Sequence, residues 1–416
     1  MRVFKFGGAS LKDSASIRNM IDIVRSKGQP PLIIVVSAMG KTTNVLERIF
    51  DHHRETGVVG PAFQGLRQYH MDVMRDLFQP GSGVFEAVEL LFERALETLE
   101  ETHPYDTAYD QIIPYGELIS STIVHHMALQ EGLPALWMDA RNFISTDETF
   151  REGKVDWELT RKKVAELKPV LRDKIVLTQG FIGKAPSGLT TTLGREGSDY
   201  TAAIFASSVS ARSVTIWKDV PGVMSADPKR LPDPVVFSEL PYQEAAEMTY
   251  YGASVIHPKT IKPLANAGIP LYVKSFDNPS LPGTVIHKCR IPRLPPLVVF
   301  KDNQCLISCR VTDYTFMSEE QISLIFNQLS SLGIHINVMQ NSAISFSFCI
   351  DFRESRLSAL ICELQKTFEV YYNAGLTLIT VKNYDATSFE KYRKLDGVLL
   401  EQVSRSTLQV LVRGWR

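Results

Sequence analysis

The chain has 416 residues, with 45 Lys+Arg balanced by 46 Asp+Glu and a formal net charge of −1. That balance excludes recognition of nucleic acid through a basic face, and no apolar run approaches the ~20 residues of a membrane-spanning helix. At roughly 100–200 residues per domain, two or three domains of ordinary soluble composition are expected.

The first residues, Met1-Arg2-Val3-Phe4-Lys5-Phe6-Gly7-Gly8, enter a strand and a glycine turn directly. This start predicts neither a signal nor a transit peptide, and a cytoplasmic protein. Through residue 280, short apolar segments alternate with amphipathic ones. Strands are predicted over 3–6, 32–37, 135–139, 175–181, 214–218 and 271–275, and helices notably over 14–26, 43–54, 85–101 and 110–130. The pattern is that of an α/β domain whose mainly parallel central sheet is sandwiched by helices. Leu32-Ile33-Ile34-Val35-Val36 is apolar at every position, as a strand covered on both faces requires. Glu86, Glu89 and Glu93 share one face of a helix and read as solvated surface. The pairs His52-His53 and His125-His126 point apart on their helices, so neither chelates a metal.

Pro292, Pro295 and Pro296 mark a boundary. Beyond it, strand 305–311, helix 318–332, strands 334–339 and 344–350, helix 356–367 and strand 369–372 give the β-α-β-β-α-β order of a ferredoxin-like module. The pattern restarts with strand 376–381, helix 387–395 and strands 398–403 and 408–412, then stops before a second helix and last strand. The expected domains are 1–290, 304–374 and an abbreviated 375–416. All five cysteines lie from Cys289 to Cys362, with no Cys-x-x-Cys and no histidine pair at zinc spacing. They read as reduced thiols, and no metal site is expected.

Four segments near predicted strand ends carry unusual chemistry, and strand ends are where open α/β sheets bind ligands. Lys5-Phe6-Gly7-Gly8 offers backbone donors for an anion beside an ammonium, or simply a tight turn with a surface lysine. Ser37-Ala38-Met39-Gly40-Lys41-Thr42-Thr43 resembles the end of a phosphate-binding loop. The required earlier glycine is Val35, so that loop is rejected, and Thr42 or Thr43 is expected to cap a helix. Leu193-Gly194-Arg195-Glu196-Gly197-Ser198-Asp199 precedes a helical run, where helix N-terminus and arginine favour an anion, with Ser198 or Asp199 as an alternative plain cap. Trp217-Lys218-Asp219-Val220-Pro221-Gly222 through Lys229 is a strand entering a Pro-Gly turn among acids and lysines, which a structural turn also explains.

Taken together with Tyr115-Gly116-Glu117-Leu118-Ile119-Ser120-Ser121, Thr178-Gln179-Gly180-Phe181-Ile182-Gly183 and Tyr251-Gly252-Ala253-Ser254-Val255-Ile256-His257-Pro258, these segments resemble the aspartate kinases of the amino-acid kinase superfamily, in the family's order. The C-terminal pair is similar to that family's ACT-type regulatory modules. The resemblance implies transfer of the γ-phosphoryl group of ATP to the side-chain carboxylate of L-aspartate, the first step toward lysine, threonine and methionine. The nucleophile is already an anion, so fixed positive groups and backbone donors matter more than a base. It further implies that Lys5 stabilises the transferring group with Gly7 and Gly8 beside it, and that Asp199 holds the lysine. Arg195 is implied to bind the substrate α-carboxylate and Glu117 its ammonium, with Ser37, Ala38, Thr43, Phe181, Gly197 and Ser198 around them. Lys218, Asp219, Met224, Lys229 and Ser254 are implied at the nucleotide, which brings its own Mg²⁺.

The sequence departs from the family at Ala9 and Lys218, each usually threonine, at Glu196, usually glycine, and at Ser254, often lysine. The last change is expected to weaken ATP binding unless Lys218 compensates. Glu320-Gln321-Ile322-Ser323 and Asn337 replace residues associated with lysine inhibition, which argues against classical lysine feedback; a homodimer through the ACT-like modules is expected, the modules either binding an amino-acid effector or serving only to dimerise. Two alternatives are a kinase for glutamate, acetylglutamate or carbamate, and a non-catalytic amino-acid sensor. The Gly197-Ser198-Asp199-Tyr200 segment with the ACT-like tail opposes the first, and intact Lys5, Glu117, Arg195 and Asp199 oppose the second. The length leaves no room for a fused homoserine dehydrogenase.

Overall fold

The computed structural model describes residues 1–253, 256–312 and 315–415. They form two compact units, the first of residues 1–223, 236–246 and 256–290, the second of residues 224–235, 247–253 and 291–415.

The first unit contains β1 (Arg2–Phe6), β2 (Leu32–Val36), β3 (Ala135–Met138), β4 (Ile175–Gln179), β5 (Ile182–Lys184), β6 (Thr190–Thr192), β7 (Ser213–Lys218), β8 (Glu239–Pro241), β9 (Leu271–Ser275) and β10 (Thr284–His287). Eight of these make one sheet in the order β3-β4-β2-β1-β7-β9-β10-β8, while β5 and β6 pair separately. Strands from β3 across to β9 run parallel, and β10 is antiparallel to β9. Every residue of β2 and β4 is buried, as is every residue of β1 after Arg2. The cause is helical cover on both faces, which is why these strands read as unbroken apolar runs. Lys5 shares that burial, so its charge needs a partner close by.

Two helical features differ from the sequence expectation. The run expected over 110–130 is two helices, Tyr105–Ile112 and Tyr115–Gln130, separated at Pro114, which cannot donate an intrahelical hydrogen bond. The helix Thr42–Thr56 begins after Lys41 with no side-chain cap, so neither threonine caps it. Thr42 instead lies 3.4 Å from His70 Nε2 of the helix Pro61–Leu77, which buries Phe63, Leu66, His70 and Met74.

The second unit holds β11 (Leu297–Arg310), β12 (Ile336–Asn341), β13 (Ser345–Asp351), β14 (Glu369–Lys382), β15 (Val398–Val403) and β16 (Thr407–Arg413), in one antiparallel sheet ordered β12-β13-β11-β14-β16-β15. The strands expected separately over 369–372 and 376–381 are one strand, β14. It pairs with β11 nearly end to end across irregularities between Lys301, Gln304 and Leu306. Leu297–Lys301 pairs with Leu378–Lys382, on the side of β14 opposite β16. That stretch lies where a final strand of the second repeat belongs, and it comes from upstream of the first.

Candidate active site

A cleft of about 780 Å³ opens in the first unit where β1, β2, β4 and β7 end. Each parallel strand delivers one piece. Lys5 closes in from β1, Ser37 and Ala38 follow β2, Phe181 follows β4 and Lys218 ends β7. Glu117 sits in the first turn of the helix Tyr115–Gln130, and Gly197, Ser198 and Asp199 open the helix Gly197–Val209. That helix is preceded by Glu196 in the left-handed conformation (φ 54°) with no side-chain cap. Ser198 and Asp199 are therefore not spent on capping.

Two glycines permit the close approaches. A Cβ on Gly8 would lie 2.7 Å from the Ala38 carbonyl, where the Gly40 N–H donates to the Gly8 carbonyl at 2.9 Å and ties the first two loops together. A Cβ on Gly180 would lie 2.4 Å from that of Ser198, so only glycine lets the helix start rest on the end of β4.

Lys5 Nζ lies 2.7 Å from Asp199 Oδ1, and Lys218 Nζ lies 3.9 Å from Asp199 Oδ2. Burial raises the Asp199 pKa, but Lys5 first and Lys218 second outweigh it, and the carboxyl is held below its ordinary value. Glu117 is the opposite case. Burial pushes its pKa up to about 8, outweighing a hydrogen bond from its own backbone N–H, a long one of 3.4 Å from the Ala38 N–H and the more distant Lys5 charge. Its Oε2 has no hydrogen-bond partner among the described residues. A carboxylate buried this way is costly unless a ligand donates to it. Arg195 lines the cleft with no ion-pair partner among the described residues.

Of the residues expected at the site, Lys5, Gly8, Ser37, Ala38, Thr43, Glu117, Phe181, Arg195, Gly197, Ser198, Asp199 and Lys218 line this cleft. Gly7 does not line it, although its backbone runs beside the Lys5 ammonium. Asp219, Met224 and Lys229 do not line it either: Asp219 is exposed, and Met224 and Lys229 belong to the second unit. Ser254 lies outside the described residues. The sequence reading missed one wall. Arg151 (φ 67°) stands with its guanidinium 4.2 Å from the Tyr109 ring centroid, and the Tyr109 hydroxyl donates to Glu47. Asp110 pins this wall by accepting from the N–H of Arg151 and of Thr192, both at 2.8 Å. Only the positive φ at Arg151 distinguishes the loop, and no residue pattern announces it.

A mostly parallel sheet covered by helices, with cations and an unsatisfied carboxylate at its strand ends, is the frame of an amino acid kinase, and the model of the "Amino acid kinase family" matches residues 1–275. The chain belongs to that family. Its relatives are aspartokinases. It is 30% identical over 397 residues to lysine-sensitive aspartokinase 3 of Escherichia coli strain K12, covering 92% of this chain and 87% of that protein. It is 29% identical over 391 residues to a chloroplastic bifunctional aspartokinase/homoserine dehydrogenase of Arabidopsis thaliana, of which it spans 42%. The crystal structure of E. coli aspartokinase III with aspartate and ADP superposes with a TM-score of 0.84 at 28% identity, covering 100% of this chain and 96% of that one.

Proposed function

We infer that this protein is an aspartate kinase, transferring the γ-phosphoryl group of ATP to the side-chain carboxylate of L-aspartate to give 4-phospho-L-aspartate. The carrying observation is the polarity of the cleft, where a buried Lys5–Asp199 pair shares one cavity with Glu117 Oε2 and Arg195, neither of which has a polar partner among the described residues. An amino acid needs that combination: a carboxylate for its ammonium, a guanidinium for its α-carboxylate, and an ammonium where its side chain meets the triphosphate.

In this reading Glu117 receives the substrate ammonium and Arg195 clamps the α-carboxylate through paired N–H donors. The β-carboxylate then points toward Lys5 and attacks the γ-phosphorus in line. The new bond is carboxylate oxygen to phosphorus, the broken one is phosphorus to the bridging oxygen, and ADP leaves with that electron pair. Lys5 neutralises charge on the transferring group, and Asp199 fixes the ammonium so that little reorganisation is needed. Lys218, beside the same aspartate, extends the positive field toward the nucleotide. Mg²⁺ enters bound to ATP, as part of the substrate.

We propose a homodimer formed through the second unit, whose sheet ends in the edge strands β12 and β15, with Met339 and Val403 half exposed. Membrane insertion has no support in the helices, none of which is long and apolar enough to cross a bilayer among the described residues. The function is tested by measuring ADP release with aspartate, glutamate and acetylglutamate as acceptors. Turnover restricted to aspartate supports the reading. Turnover with glutamate alone, or with none, removes it.

A further inference from the structure

At the far edge of the eight-stranded sheet, three side chains of different chemistry converge. β8 and β10 pair in parallel with Val285 opposite Glu239 and His287 opposite Pro241. In β10, Thr284 and Ile286 are buried while Val285 and His287 are half exposed, so His287 lies on the outward face. Glu239 is exposed and Leu240 buried, which puts Glu239 on the outward side of β8, diagonal to His287. Cys289 follows two residues past the end of β10 and is partly buried. The imidazole Nε2 is 3.0 Å from Glu239 Oε2. One carboxylate oxygen, one ring nitrogen and the Cys289 sulfur all lie within 4.8 Å of one another. Among the described residues this is the only such group of three.

We propose that Glu239, His287 and Cys289 form a binding site for a borderline-soft divalent cation of the zinc class, with solvent completing the coordination. Ligand atoms held about 2.0–2.3 Å from a tetrahedral metal stand roughly 3.3–3.8 Å apart. The pairing of β8 with β10 fixes the backbones of Glu239 and His287, Cys289 follows two residues past the end of β10, and the three ligand atoms already lie within 4.8 Å of one another. Thiolate and imidazole together select zinc-like ions over Mg²⁺ and Ca²⁺, which prefer oxygen. Neither zinc-motif spacing nor a histidine pair signals the site. Glu239 lies 48 residues before His287 in the chain and is brought beside it by the pairing of β8 with β10. None of the three lines the catalytic cleft, so the inference stands apart from the reaction.

Cobalt(II), titrated into the reduced full-length protein, is the probe. The expected result is a thiolate-to-cobalt charge-transfer absorption that saturates at one equivalent. It is lost in Cys289→Ser and unchanged in Cys362→Ser, which removes the exposed cysteine. Glu239→Gln is expected to keep the absorption but weaken cobalt affinity by about 10-fold or more. In parallel, Zn²⁺ at one equivalent is expected to slow alkylation of Cys289 by iodoacetamide at least tenfold, read by peptide mass spectrometry. Absence of a saturable band, a band that survives Cys289→Ser, or unprotected alkylation of Cys289 with zinc present would overturn the proposal. Turnover with aspartate serves as the folding control for each variant.

Discussion

Lys5 Nζ and Asp199 Oδ1 stand 2.7 Å apart although 194 positions separate them in the chain, and both side chains are nearly enclosed. An ammonium in a central strand and a carboxylate in the first turn of a helix are each unfavourable when buried alone. Together they make a fixed positive group that still faces the cleft.

Lys5→Ala is predicted to reduce kcat by roughly 100- to 1,000-fold, the range for removing one preorganised charge-stabilising group. Aspartate binding, followed by calorimetry without nucleotide, should change little. Asp199→Asn should also lower kcat, because it frees the ammonium without removing it. A Lys5→Ala enzyme with near-normal turnover would deny the lysine its role.

Glu117, with its pKa pushed up to about 8, is predicted to be protonated in the empty site at pH 6.5 and ionised once an ammonium arrives. Aspartate binding should then release close to one proton per site, measured by calorimetry in buffers of different ionisation enthalpy. The raised folded value means that Glu117's contribution to stability is fully present below pH 4.5 and is lost as pH rises toward about 8. Glu117→Gln should remove both the proton release and that decline, raising Tm at pH 8–9 while aspartate binding is lost.

Arg195→Ala should raise KM for aspartate by about thirtyfold, corresponding to ~2 kcal/mol for a charged hydrogen-bonded contact. Any slow turnover of β-alanine, which lacks the α-carboxylate, should be unaffected. Equal loss for both acceptors would place the arginine elsewhere in the reaction.

His70 is buried, and its pKa is lowered to about 4 chiefly by desolvation. Because the unfolded histidine protonates first, stability should fall by about 1.4 kcal/mol per pH unit between pH 6.5 and 4 from this group alone. His70→Gln should flatten that part of a urea-midpoint profile.

Lysine is predicted to leave activity within twofold at millimolar concentration. Asn337, where the resemblance expects an acid, is uncharged, and its Oδ1 already accepts a hydrogen bond from Lys301 Nζ at 2.7 Å. Strong inhibition in a lysine titration would require another cation site.

The sequence made the anchors of the cleft legible because each lies in a run of residues with a backbone reason to be there. Gly8 and Gly180 mark close approaches, and the apolar run Leu32–Val36 places the loop that begins at Ser37. The Arg151–Tyr109–Glu47 wall was not legible, since it forms from single side chains on three separate segments held by Asp110. Asp219, Met224 and Lys229, expected at the nucleotide, follow one another on one segment after β7 and do not line the cleft. In the second unit, Leu297–Lys301 falls between the prolines that mark the boundary and the first strand expected beyond it, at 305–311. Its apolar run Leu297-Val298-Val299-Phe300 suits a strand, but its partner, Leu378–Lys382, lies 77 to 85 positions away, and no local pattern carries that pairing.

The central claim is that the acceptor is the side-chain carboxylate of aspartate. It is tested most directly by trapping the acyl phosphate with hydroxylamine in the presence of ATP, and identifying the product by mass spectrometry. The account predicts aspartyl β-hydroxamate in the wild-type reaction, none with glutamate, and almost none from Lys5→Ala. ADP release with no hydroxamate, or hydroxamate formed from glutamate in preference to aspartate, would contradict it.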